Sequence, residues 1–441
     1  MNIIIESIKP EYIAIISASI VIIMSFIFNF ISIKTNIPSV LLLIGLGVTI
    51  QVAIPSIRNN SLLNNSILII GKVGLILIVL EAALDLKIKK NKIVLITKSF
   101  IMALFGLLAT SFIIAFAIQF FLESSFYKSF VYAVSISILS SAIIIPSVAQ
   151  LKENQKEFMI YESTFSDIIG IILFQFLVSP EEFYSTSHVV YSVTSKILIT
   201  VFIAIAFGYL AVWAIQKLTS HVKLFLIIAV LLLVYSIGSI FHLSSLIIIL
   251  LFGLILGNTS IFFSGILKNK INTEKIKLIF KEFYTITLES AFVLRTFFFV
   301  LFGITISLTA FLDYNIAIQS LVLTGIIFLV RFIILAVLLG IKKTTPQLFI
   351  APRGLITILL FYTIPAKYLI ENFNQGVLLY TILFTSLIMT IALIFNKHPK
   401  NISELLHNFD ELHDSIEKSF EEGHIDIVKE AAGNNKIKLT I

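Results

Sequence analysis

Apolar residues in this chain come in long unbroken runs, not in the strict alternation of a half-buried strand or the single stripe of a surface helix. A helix needs about 18 or more such residues to cross ~30 Å of hydrocarbon. Thirteen windows approach that requirement: 12–32, 38–55, 66–86, 93–121, 128–150, 158–178, 190–216, 222–240, 243–260, 283–308, 316–340, 347–369 and 376–396. The expected fold class is an all-α polytopic membrane protein with about 13 transmembrane helices.

The polar positions between these windows alternate in charge. One set of loops carries Lys34, Lys87, Lys89, Lys90, Lys92, Lys152, Lys156, Lys217, Lys223, a cluster from Lys268 to Lys281, Lys342 and Lys343. The other set carries only Lys9, Arg58, Lys128 and Lys367, beside Glu123, Glu181, Glu182, Asp313 and Glu371. Lysine marks the cytoplasmic side, so the N-terminus is expected outside and the C-terminus inside. From about 398 the pattern changes: Ile402, Leu405, Phe409, Leu412, Ile416 and Phe420 recur every three or four residues among charges. The chain therefore divides into a membrane domain, 1–397, and an amphipathic cytoplasmic tail, 398–441.

On this topology windows 4–6 and 11–13 run in opposite directions, the arrangement of an inverted repeat. The middle window of the first triplet contains Ser140-Ser141-Ala142-Ile143-Ile144-Ile145-Pro146-Ser147, and that of the second Ala351-Pro352-Arg353-Gly354. Paired interruptions of this kind predict two discontinuous helices meeting at the midplane, with Pro146, Ser141, Pro352 and Gly354 at the breaks.

Composition narrows the chemistry. A mean hydropathy of +1.04, with 58% hydrophobic and 13% charged residues over 441 positions, excludes a soluble domain. Without cysteine there are no disulfides or thiolate metal sites. The net charge of +7 lies in loop lysines that orient the membrane domain, so nucleic acid is not an expected partner. There is no P-loop, dinucleotide fingerprint or paired-histidine zinc helix. No cofactor and no enzymatic activity are expected, and an ion gradient is the expected energy source. A channel would call for symmetric backbone rings from several subunits, and a lipid-processing enzyme for clustered acids or histidines at an aqueous interface; neither pattern is present.

Charged residues fall inside the windows at Lys72, Glu81, Glu162, Asp167, Lys196, Glu289, Arg295, Arg331 and Arg353. Lys72, Lys196 and Glu289 lie near window ends, where they can snorkel. Glu81, Glu162, Asp167 and Glu289 are four acids against three arginines, which do not deprotonate. If each arginine neutralises one acid, one carboxylate remains and must hold either a proton or a metal cation. Asp167, with Ser163 and Ser166 on the same helix, is the expected titrating ligand, and Glu162 the arginine-paired organiser. Asp167 could instead cap the broken helix. Glu81 reads equally as an ion ligand or as half of a structural salt bridge, and Arg295 as a partner of Glu289 or a rival of Arg331.

These residues resemble a family. Glu162-Ser163-Thr164-Phe165-Ser166-Asp167-Ile168-Ile169-Gly170 is similar to the E-S-x-x-N-D-x-x-G helix of the sodium/proton exchangers of the NhaP and NHE type. Val79-Leu80-Glu81-Ala82-Ala83-Leu84-Asp85-Leu86 resembles their acidic third span, Leu329-Val330-Arg331-Phe332 their buried arginine helix, and Ala351-Pro352-Arg353-Gly354-Leu355 their second broken helix. The resemblance covers roughly 10–396. It implies the NhaA/NhaP-like antiporter fold, a homodimer in a plasma membrane of the bacterial inner-membrane kind, and monovalent cation:proton exchange by alternating access. Asp167 would bind Na+ or H+, Glu162 would pair with Arg331, and Glu81 would approach the ion. The chain departs at Ser166, where the family has asparagine, and at Ile144-Ile145-Pro146, where it has T-D-P. Backbone carbonyls with Ser140, Ser141 or Ser147 are left for that side, and K+ becomes an alternative to Na+. The single aspartate of Ser166-Asp167 implies electroneutral exchange, one proton per cation.

Overall fold

The computed structural model describes residues 10–35, 37–54, 61–88, 90–148, 151–178, 186–217, 223–240, 245–263, 273–306 and 313–396. The tail, 398–441, lies outside the described residues, as does the side chain of Lys196. All secondary structure among the described residues is helical. In chain order the α-helices are α1 (Pro10–Thr35), α2 (Ser39–Ala53), α3 (Ser61–Asp85), α4 (Ile93–Leu122), α5 (Phe126–Ser137), α6 (Ser141–Ser147), α7 (Glu153–Val178) and α8 (Thr186–Ile215). They continue with α9 (Lys223–Ile240), α10 (Ser245–Gly257), α11 (Thr259–Phe262), α12 (Thr273–Thr305), α13 (Tyr314–Leu339), α14 (Leu355–Tyr362) and α15 (Gly376–Phe395). Each of the thirteen apolar windows contains helix. A backbone in hydrocarbon has no water to bond, so a run of apolar residues closes its own N–H and C=O groups as helix.

The helices pack as two groups. α12 lies against α1, α2 and α3, while α10 lies against α3, α8 and α9. Separately, α4 packs on α5, α7 and α13, with α15 on α13 and α14 on α5. In the first group α2 and α12 meet backbone to backbone: a Cβ added at Gly303 would overlap the Ile44 carbonyl oxygen, and one at Gly47 that of Val300. Membrane helices lack a hydrophobic drive to associate with one another, so such close van der Waals contact between small residues holds them together.

The second group contains both interruptions. α5 ends at Ser137, and the chain runs extended through Ile138 (φ −70°, ψ 130°) to Ser140 (φ −97°, ψ 102°) before α6 begins. In the other triplet a 3-10 turn, Gln347–Phe349, is followed by an irregular stretch to Gly354, and then by α14. The two stretches touch where the Ser140 N–H donates to the Pro352 carbonyl at 3.0 Å. A Cβ at Gly354 would collide with the Ser140 side chain, so the closeness of this crossing requires glycine.

The position of the first break corrects the sequence expectation. Pro146 lies inside α6 and interrupts nothing; the helix opens at Ile138-Leu139-Ser140 instead. Neighbouring side chains supply the bonds lost there. Ser166 Oγ accepts the Leu139 N–H at 3.0 Å, and Thr385 Oγ1 accepts that of Arg353 at 3.2 Å. Pro352, by contrast, does sit in its break.

Replacing Gly303 by Leu forces α2 and α12 apart and should destabilise the protein by about 1–3 kcal/mol or more. Gly45→Ala, on α2 where nothing lies within 4 Å of the added carbon, is the matched control. Thermal unfolding in detergent should show a lowered Tm for Gly303→Leu and an unchanged or raised one for Gly45→Ala.

Candidate ion site

α7 carries Glu162, Ser163, Ser166 and Asp167, all buried, with Glu162 1% and Asp167 2% exposed. Glu162 faces α13. Its carboxylate receives Nη1 and Nη2 of Arg331 at 2.5 and 2.9 Å, a two-pronged pair that a planar guanidinium suits. Arg331 has a further role, because its Nε and Nη2 donate to the Gln347 carbonyl at 3.0 and 2.9 Å. One side chain thereby ties α7, α13 and the turn that leads into the second break.

Asp167 has different surroundings. Ser141 Oγ, at the first residue of α6, donates to its Oδ2, and its Oδ1 has no hydrogen-bond partner among the described residues. No arginine or lysine pairs with it there, in contrast to Glu162. A carboxylate in this position avoids the cost of a bare buried charge by holding a proton or a cation. Ser166 Oγ is engaged by the Leu139 N–H, and Ser163 Oγ donates back to Ile160 O at 3.2 Å. Of the serines singled out in the sequence, Ser141 is thus the one hydrogen-bonded to Asp167.

Ser141 also lines a cavity of about 240 Å³ between the two helix groups, so the carboxylate is one hydroxyl away from open space. The opposite wall holds Glu81 and Asp85 of α3 with Tyr284 and Arg295 of α12. Arg295 Nη2 lies 2.7 Å from Glu81 Oε2, and Tyr284 donates to Asp85 Oδ1 at 2.6 Å. Arg295 therefore pairs with neither Glu289, which is exposed on the same helix, nor the acid of Arg331. Glu81 is thus half of a salt bridge, one of the two roles left open by the sequence, and it also lines the cavity.

Arg353 is 3% exposed, and its Nε and Nη1 have no partner among the described residues. It borders a void of about 20 Å³ with Glu162, Ser166 and Arg331, large enough for a single water. The charge count of the interior thus stays at four acids and three arginines, but Asp85 takes the place of Glu289. Sequence reasoning passed over Asp85 although it follows Glu81 by four residues, the spacing that puts both on one helix face. Tyr284 gave no signal at all. Among the described residues no group of three or more His, Asp or Glu side chains is placed to hold a metal ion in the manner of a resident metal centre.

A family profile described as "Sodium/hydrogen exchanger, transmembrane" matches residues 15–396. No curated protein matches the chain by sequence. Among solved structures, the sodium proton antiporter MjNhaP1 from Methanocaldococcus jannaschii superposes with a TM-score of 0.64 at 20% identity, covering 88% of this chain and 96% of that one. A second structure of the same antiporter, an electron-microscopy map, gives 0.64 at 19% identity over the same shares. This chain and MjNhaP1 share a fold.

Removing one member of the buried pair should cost about 3–5 kcal/mol, because the remaining charge is stranded. Glu162→Ala should therefore lower the Tm in detergent sharply. The double variant Glu162→Met with Arg331→Met leaves no stranded charge and should recover much of the loss. An equal Tm for the single and double variants would mean that the pair is not held as described.

Proposed function

This chain belongs to the sodium/hydrogen exchanger family of multi-pass cation/proton antiporters, and from that premise we propose that it exchanges Na+ for H+, one for one, by alternating access. The observation that carries the proposal is Asp167, a buried carboxylate with a free oxygen and no counter-charge, separated from a cavity by Ser141. When Asp167 is protonated the site is neutral. When the proton leaves, a monovalent cation restores neutrality, so the two ligands compete for one place. The bare carboxylate, holding neither ligand, is costly in low dielectric, which discourages the empty carrier from crossing and couples the two fluxes. Glu162 and Arg331 stay paired through the cycle and hold α7 against α13. Carbonyls freed at the breaks, with Ser141, would complete the oxygen shell.

The group formed by α4, α5, α6, α7, α13, α14 and α15 is the moving part on this reading, and the group around α12 is the scaffold that pairs in a homodimer. Loops rich in lysine face the cytoplasm. A second reading, K+ in place of Na+, is favoured by one observation: the first break and α6 bring backbone carbonyls and the Ser141 hydroxyl to the region of Asp167, but no second carboxylate.

The test uses everted or reconstituted vesicles with an acid interior and a lumenal pH dye, to which Na+, Li+, K+ and choline chloride are added in turn. Na+ should alkalinise the lumen, and Asp167→Asn should abolish the response. Because protons compete for the site, the apparent KM for the cation should rise as pH falls, by up to tenfold per unit. An imposed membrane potential should leave the rate unchanged. A response to K+ alone would select the second reading; a wild-type response in Asp167→Asn would remove Asp167 from the mechanism.

A further inference from the structure

A second cavity lies along the same boundary between helix groups. It has about 330 Å³ and is lined by Lys72, Tyr235, Phe298, Leu359, Tyr362 and Thr363 among others. The two cavities are related in the way the inverted triplets are. The first is walled by α6, the second half of one broken helix, and the second by α14, the second half of the other. Their places in the chain put them on opposite faces. The first reaches Asp85 at the end of α3, next to the loop with Lys87, Lys89, Lys90 and Lys92, and Ser39 at the start of α2, five residues after Lys34. The second is reached by Tyr235 in the last third of α9, by Phe298 toward the end of α12, and by Tyr362 at the end of α14, all the opposite ends.

Their fixed charges have opposite signs. The first cavity holds Glu81 and Asp85 against Arg295, a net negative wall. The second holds Lys72, which is exposed, faced by phenols, a threonine hydroxyl and apolar groups but, among the described residues, by no acid. Lys72 and Glu81 lie nine residues apart on α3, about 13–14 Å along its axis. One helix thus presents a cation to one cavity and two carboxylates to the other.

We infer that Lys72 and the Glu81/Asp85 wall set unequal cation capture on the two faces of the membrane, Lys72 repelling cations from its cavity and the acids gathering them into the other. The inference rests on the antiport reading above. Low-dielectric walls focus the field of a fixed charge, and focusing of this kind changes local ion concentration by tenfold or more. The effect falls on Na+ and H+ alike, so the exchange equilibrium, set by the gradients alone, is untouched. What changes is the concentration at which each face saturates. Lys72 is accordingly a positioning residue that acts on the approaching ion and never binds it.

Right-side-out and everted vesicles from the same cells, bearing the full chain, present the two faces separately. The measurement is the apparent KM for Na+ on each face, at low ionic strength and again in high choline chloride. Lys72→Gln should lower KM on its own face on the order of three- to tenfold, with the maximal rate and the other face unchanged. Lys72→Arg should behave as wild type, and high salt should erase most of the difference. Asp85→Asn should raise KM on the opposite face alone. The inference is overturned if Lys72→Gln leaves KM on its face unchanged while exchange persists, or shifts both faces equally. A wild-type protein that exchanges no cation on either face would overturn the antiport reading, and this inference with it.

Discussion

Backbone that leaves the helical path inside a bilayer must find its hydrogen bonds within the protein, and this requirement organises the whole second helix group. The stretches at Ile138–Ser140 and Ile350–Gly354 meet it together, through the bond from Ser140 to Pro352 and through hydroxyls lent by Ser166 and Thr385. Neither break could stand alone in lipid. Their crossing brings α6 beside α7, and so brings Ser141 onto Asp167. The candidate ion site is a by-product of how two broken helices satisfy each other.

Charge is arranged with the same economy. Glu162 and Glu81 each have an arginine, whereas Asp167 has a hydroxyl. Two acids are thereby each held against a fixed cation, and one is not. Proximity to other acids does not distinguish Asp167, since Glu162 is on the same helix five residues earlier. The distinction is which face of α7 each carboxylate occupies: Glu162 meets α13 and its arginine, and Asp167 meets the half-helix α6, which bears no basic residue.

The helices were legible because an apolar run long enough to span lipid has few alternatives. Residue pairs distant in the chain were not legible from pattern alone. Glu162 and Arg331 lie 169 positions apart and were matched through the family resemblance, while Arg295 and Glu81, 214 apart, were left unmatched. Pro146 misled because proline is a strong breaker in general, yet as the sixth residue of the seven-residue half-helix α6 it deprives a single carbonyl, that of Ala142, of its donor. The true break at Ile138-Leu139-Ser140 contains no residue that breaks helices intrinsically. It exists because Ser166, Pro352 and Gly354 make room and supply bonds, and no local reading of those three residues shows that.

Arg331 has a consequence for how this position can vary. Its guanidinium engages both oxygens of Glu162 and, with its remaining hydrogens, the carbonyl of Gln347. Lysine would keep the charge but has no planar fork with which to hold both partners in fixed directions. Under mutation, then, position 331 is constrained by the number and angle of its donors as well as by charge. A swap that looks neutral on an electrostatic map would untie the turn that leads into the second break from the helix that carries Asp167.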